Sequence, residues 1–107
     1  MSVSKLIFLS IFYSSLLYAG GSEQKNKGFD TICQIYTEAI NSSMTKKQLS
    51  EYIFDNIKSR VVNKDALEAH AVIFQLEPPK RYAIFKKSAE YSLKRNWHCD
   101  AMKEIMK

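Results

Sequence analysis

No catalytic, metal-binding or nucleotide-binding motif is present in these 107 residues, and no apolar run reaches the roughly twenty residues that span a bilayer. Paired segments of alternating apolar and polar residues are also missing. The short run Val72 to Phe74 has strand character but no partner, which argues against a sheet. Cysteine is limited to Cys33 and Cys99, and proline to the adjacent Pro78 and Pro79. No cysteine directly follows the N-terminal apolar run, which argues against a lipid anchor made by acylating such a residue. The chain carries no nucleic-acid reader motif, so its positive charge does not indicate a nucleic-acid partner.

What is present begins with an export signal. Lys5 is the one charge before an apolar stretch from Leu6 to Tyr18, which closes on Ala19, Gly20 and Gly21. A weakly cationic start, an apolar centre and a small-residue exit describe a signal peptide over residues 1–19, cut after Ala19, with an uncleaved N-terminal anchor as the alternative. Gly20 to Gly28 is glycine, serine and charge without periodicity, so residues 20–28 read as a disordered leader and 29–107 as one helical domain.

An 88-residue remainder is a single small domain, and folding would bury roughly 60% of its unfolded surface. Such a domain benefits from a covalent staple. Two cysteines in an exported chain are best spent on one disulfide, Cys33 to Cys99, worth about 4 kcal/mol on the chain-entropy model. Without Lys5, 15 cations face 11 acids, a net charge of +4 that favours anionic surfaces and also serves solubility.

Periodicity predicts four to five short helices in an all-α bundle. Asp30 is placed to cap the first, whose inner face holds Ile32, Ile35, Tyr36, Ala39 and Ile40. Asn41 to Ser43 ends it; Asn41 with Ser43 also matches a glycosylation acceptor, relevant in a eukaryotic host alone. Thr45 and Gln48 have capping-box spacing, and Leu49, Tyr52, Ile53, Ile57 and Val61 follow as an inner face. Asn63 caps a third helix, Lys64 to Leu76, apolar almost all round and so expected in the middle of the bundle. Pro78 and Pro79 open a fourth, which turns Tyr82, Phe85, Ala89 and Leu93 inward, runs to about Lys94 and is broken by Asn96. A short last helix places Met102, Ile105 and Met106 on one side and is too short to persist without the disulfide.

Few residues invite chemistry. Cys99 beside His98 suggests a thiol nucleophile, but neighbours in sequence point apart and the bridge claims the sulfur. His98, Met102 and Met106 could ligate cuprous copper beside Trp97, at the expense of the last helix's packing. His70 is expected as a buried histidine; acid-base work with Glu38 or Glu77 would require a cleft. No metal or cofactor is therefore expected. The best binding surface is the cationic arc of helix four and the Trp97 corner: Lys80, Arg81, Lys86, Lys87, Lys94, Arg95, Trp97 and His98, with Glu90 spaced to pair with Lys86 or Lys94.

At Arg81, Tyr82, Phe85, Lys86, Ala89, Trp97 and Cys99 the chain resembles a group of small exported bacterial helical proteins in which an early cysteine pairs with a C-terminal Trp-x-Cys. In that group proline often follows the second cysteine, where this chain has Asp100. The resemblance implies an all-helical, disulfide-stapled fold and no activity. Taken together, the sequence reads as a periplasmic or secreted, non-enzymatic binding protein whose partner is a protein or an anionic envelope component, with peripheral membrane contact allowed. The alternatives are a secreted toxin-like effector acting on membranes and a periplasmic carrier of cuprous copper.

Overall fold

The computed structural model of the protein describes residues 27–107. The expected signal peptide, its cleavage after Ala19 and residues 20–26 of the expected leader lie outside the described residues. Among the described residues there are helices and no strands: α1 (27–40), α2 (Lys46–Arg60), α3 (Lys64–Ile73), α4 (Pro78–Leu93) and α5 (Asp100–Ile105).

Helix α1 has already formed at Lys27 and Gly28, two residues that composition alone assigned to the leader. Asp30 is therefore inside the helix and not its cap. Phe29, Ile32, Ile35, Tyr36 and Ala39 are each at most 1% exposed, making α1 the helix most completely committed to the core. Ile40, expected on the same inner face, is 38% exposed at the end of the helix. Gly28 lies against α3 so closely that a Cβ there would sit 2.5 Å from Asn63 Cβ and 3.1 Å from Ala66 Cβ. The small residue is what lets the two backbones approach.

Helix α2 starts with the capping box: Gln48 N donates to Thr45 Oγ1 (3.2 Å), and Thr45 N donates to Gln48 Oε1 (3.1 Å). A bidentate pair fastens α2 to α1, with Arg60 Nη1 and Nη2 donating to Glu38 Oε1 (2.7 Å) and Oε2 (3.1 Å). Tyr52 adds a hydroxyl to Glu38 Oε1 at 2.8 Å. These donors, Arg60 foremost, hold the Glu38 carboxyl down at about 2.

Helix α3 is capped by Asn63, whose Oδ1 accepts from Ala66 N at 2.9 Å. It ends at Ile73, and Phe74 to Leu76 form a tighter turn instead of the expected extra helical length. The expectation that α3 occupies the middle of the bundle fails, because Ala71 is exposed and Val72 is 45% exposed; α1 takes that place. Pro78 and Pro79 stand at the first two positions of α4, where missing amide hydrogens forfeit no helical bond. The helix stops at Leu93 because Lys94 adopts a left-handed conformation (φ 56°), two residues ahead of the expected break at Asn96.

The Cys33–Cys99 disulfide is present, with Cα atoms 5.7 Å apart. Cys99 immediately precedes α5, so the bond fixes that six-residue helix to α1 at its own start. Met102 and Met106 are then buried in the common core. An aromatic chain runs across the bundle, from Phe29 to Phe85 and on to Trp97, each step 5.5 Å between ring centroids.

Candidate functional site

Around the disulfide, polar groups answer one another. Trp97 Nε1 donates to Asp30 Oδ1 (3.1 Å) and Arg95 Nη2 to Asp30 Oδ2 (2.9 Å), which gives the Asp30 side chain a long-range role in place of a cap. Glu90 Oε2 accepts from Lys86 Nζ (2.5 Å) and from Trp97 N (3.1 Å), and those two donors lower its carboxyl pKa. Tyr82 Oη accepts from Cys99 N at 3.0 Å and lies 3.5 Å from His98 Nδ1, while His98 Nε2 pairs with Asp100.

The residues expected as one binding surface therefore divide. Trp97 is 3% exposed and belongs to the core. Lys86 and Arg95 are engaged with Glu90 and Asp30, and Lys80 is 3.8 Å from Glu77. Lys94 terminates α4, His98 is exposed beside Asp100, and Lys87 is exposed on the α3 side of the helix. Arg81 is different in kind. Its Nε donates to Leu76 O (3.1 Å) and its guanidinium lies over the Phe74 ring, 4.8 Å from the centroid, which aims the group away from the cationic arc.

Arg81 lines a groove of about 470 Å³ that includes none of the paired residues of the disulfide corner. One wall is the start of α2, with Lys46, Leu49, Ser50, Ile53 and Phe54; the other combines Phe74, Pro78 and Arg81 with the end of the chain, Ile105, Met106 and Lys107. Tyr36 closes the floor. Among the described residues, three cations and no carboxylate side chain line it. Lys107 also reaches Glu104 at 3.0 Å. The first turn of α2, at Lys46, contains no acid, so the positive end of its dipole adds to the same field, whereas α4 carries Glu77 at its N-cap.

Behind the groove, Tyr36 Oη and His70 Nε2 are joined by a 2.6 Å hydrogen bond. The rings of Tyr36, Phe54, Phe74 and Phe85 surround the imidazole at centroid distances of 5.0 to 6.1 Å. Burial pushes His70 down to about 4 and raises the Tyr36 phenol well above its usual value, so both are neutral at pH 7. Neither Glu38 nor Glu77 reaches His70: the first is held by Arg60 and Tyr52, the second faces Lys80. The proposed copper set is likewise dispersed, with Met102 fully buried, Met106 in the groove and His98 exposed in a separate hollow beside Cys33 and Glu104. Among the described residues no group of three or more histidine, cysteine or carboxylate side chains is placed to hold a metal ion.

Sequence reasoning missed Lys46, Phe54 and Lys107 as companions of Arg81. Each lies on a different helix or end of the chain and has an ordinary helical neighbourhood of its own. Compared with protein-family models, with curated proteins and with solved structures, the chain matches none.

Proposed function

We propose that this is a non-enzymatic binding protein of the bacterial envelope, periplasmic or secreted, that holds an anionic component of that compartment. The apolar Leu6 to Tyr18 stretch supports export, and the Cys33–Cys99 bond supports an oxidising destination. The observation that carries the binding reading is the groove, where Lys46, Arg81 and Lys107 line an apolar space with no carboxylate side chain of the described residues among them. This moves the binding face from the arc of α4 to its first turn, keeping Arg81 from the expected surface.

The test is sedimentation of the protein with phosphatidylglycerol vesicles and, in parallel, with neutral phosphatidylcholine vesicles. Binding to the anionic set alone, weakened by salt and by the double change Lys46→Glu and Lys107→Glu, is the expected result. Equal behaviour toward both vesicle types would overturn it.

A membrane-disrupting effector is the second reading, favoured by one observation. Val72, Ile84 and Tyr91 are 45%, 38% and 86% exposed and share a shallow hollow with Lys87 between α3 and α4. Asp65 and Glu68 line that same hollow and oppose an anionic surface. Release of a dye trapped in the phosphatidylglycerol vesicles would favour this reading; vesicles that bind protein and stay sealed favour the first.

A further inference from the structure

We infer that the groove takes a single-chain fatty carboxylate, its carboxylate met by Arg81, Lys46 and Lys107 and its chain laid along the apolar floor. The inference rests on the reading of this groove as the anion-binding face, and it adds the class of ligand.

The lining selects against other anions. Seven of its twelve residues are apolar, among them Leu49, Phe54, Phe74 and Ile105, and the Tyr36 hydroxyl is already committed to His70. Ser50 is the one remaining hydroxyl, so an acidic glycan would bury many hydroxyl groups against carbon and lose their hydration. A bare phosphate would leave the floor empty. An aliphatic chain gains from every methylene it lays there, and Phe54, 44% exposed, is apolar surface that such a chain would cover.

The head group is matched as well. The bond from Arg81 Nε to Leu76 O and the stacking on Phe74 fix the plane of the guanidinium, and no ion pair among the described residues includes Arg81. A fixed fork of this kind suits the two oxygens of a carboxylate. Size separates one chain from two: the groove's 470 Å³ lies toward the low end of small-molecule sites, roughly 300–1,000 Å³, and accommodates a chain of about twelve carbons but not a diacyl lipid.

The deciding experiment is calorimetric titration of the disulfide-bonded protein with dodecanoate, decanoate and butyrate below their micelle concentrations, and with uncharged dodecanol, with backbone amide shifts recorded by NMR. The expected result is one saturable site for dodecanoate, shifts confined to the start of α2 and the end of the chain, and affinity falling about tenfold for each two methylenes removed. Lys46→Glu should weaken dodecanoate about tenfold while keeping the fold, since an acid suits the first turn of a helix. Arg81→Gln should act in the same direction, and Lys87→Glu, which alters net charge equally on another face, should leave the affinity unchanged. Butyrate binding as tightly as dodecanoate, dodecanol binding as tightly, or Lys46→Glu without effect would overturn the inference. Failure of dodecanoate with phosphatidylglycerol binding retained overturns this inference alone; failure of both overturns the anion-binding reading too.

Discussion

Two groups of cations along α4, Lys86 with Arg95 and Arg81 with its groove neighbours, stand in different circumstances. From the middle of α4 to just past its end, Lys86 and Arg95 are consumed by Glu90 and Asp30, and even the Trp97 ring nitrogen and backbone amide have carboxylate partners. At its N-terminal end Arg81 shares a groove with Lys46 and Lys107, and no carboxylate side chain lines the space among them. Positive charge by itself does not mark a binding surface. A cation answered by an internal acid is part of the architecture; of the groove's three, Lys107 is so answered by Glu104, and Arg81 and Lys46, gathered over apolar surface without an acid among the described residues, are available to something else.

The largest test of the architectural end is to open the disulfide. Cys33→Ser with Cys99→Ser should lower unfolding stability by up to about 4 kcal/mol in urea titrations, because a 66-residue separation is no longer constrained in the unfolded chain. Retained stability would mean that the Asp30 and Glu90 interactions suffice to hold the corner.

The second test concerns the core between the two ends. His70 is neutral in the folded protein with its pKa lowered from 6.5 to about 4, so below pH 6.5 the unfolded chain takes up a proton that the folded one refuses. Stability is full above pH 6.5 and falls as the pH drops toward 4, by roughly 3 kcal/mol over the whole window. His70→Gln, which keeps an acceptor near Tyr36, should flatten the profile between those limits. An unchanged slope would assign the acid sensitivity to carboxylates such as Glu38.

Smaller effects refine the picture. Gly28→Ala gains about 1 kcal/mol in helix propensity, yet its new methyl meets Asn63 Cβ, an atom next to the backbone that cannot swing aside. Overpacking of that kind costs about 1–3 kcal/mol, so a net loss is expected and a raised melting temperature would show that α1 and α3 can separate slightly. Asp30→Ala removes the partner of both Arg95 and Trp97 and should cost about 1–2 kcal/mol while leaving any groove ligand's affinity unchanged. Lys94→Gly should stabilise by about 0.5–1 kcal/mol, since glycine adopts the left-handed conformation without strain.

Much of the fold was legible because its signals are local. The Thr45 and Gln48 box, the Asn63 cap and the paired prolines each act within a few residues, and each is found as the sequence indicates. The Cys33–Cys99 pairing was legible for another reason: with two cysteines there is one partner to choose. What was misread depends on distance along the chain. Asp30 looks like a helix start until Trp97, 67 residues later, is brought beside it. Helix α3 looks central because hydrophobicity around a helix does not reveal which neighbours arrive, and among the described residues Ala71 and Val72 stay exposed. The groove is assembled from α2, α4 and the end of the chain, so of its three cations sequence singled out Arg81 alone, for its place in a different arc.

The bond between Cys33 and Cys99 makes one covalent loop of α2, α3, α4 and the turns joining them. A protease that cuts once inside that loop separates no fragment: the nicked protein keeps every residue, gaining one water, until a reductant is added. Exposed joints such as the Ser42–Ser43 turn can therefore be severed while α1 and α5 stay tethered to each other. Wherever such a protease is met, that closed topology protects the assembly even when it does not protect the chain.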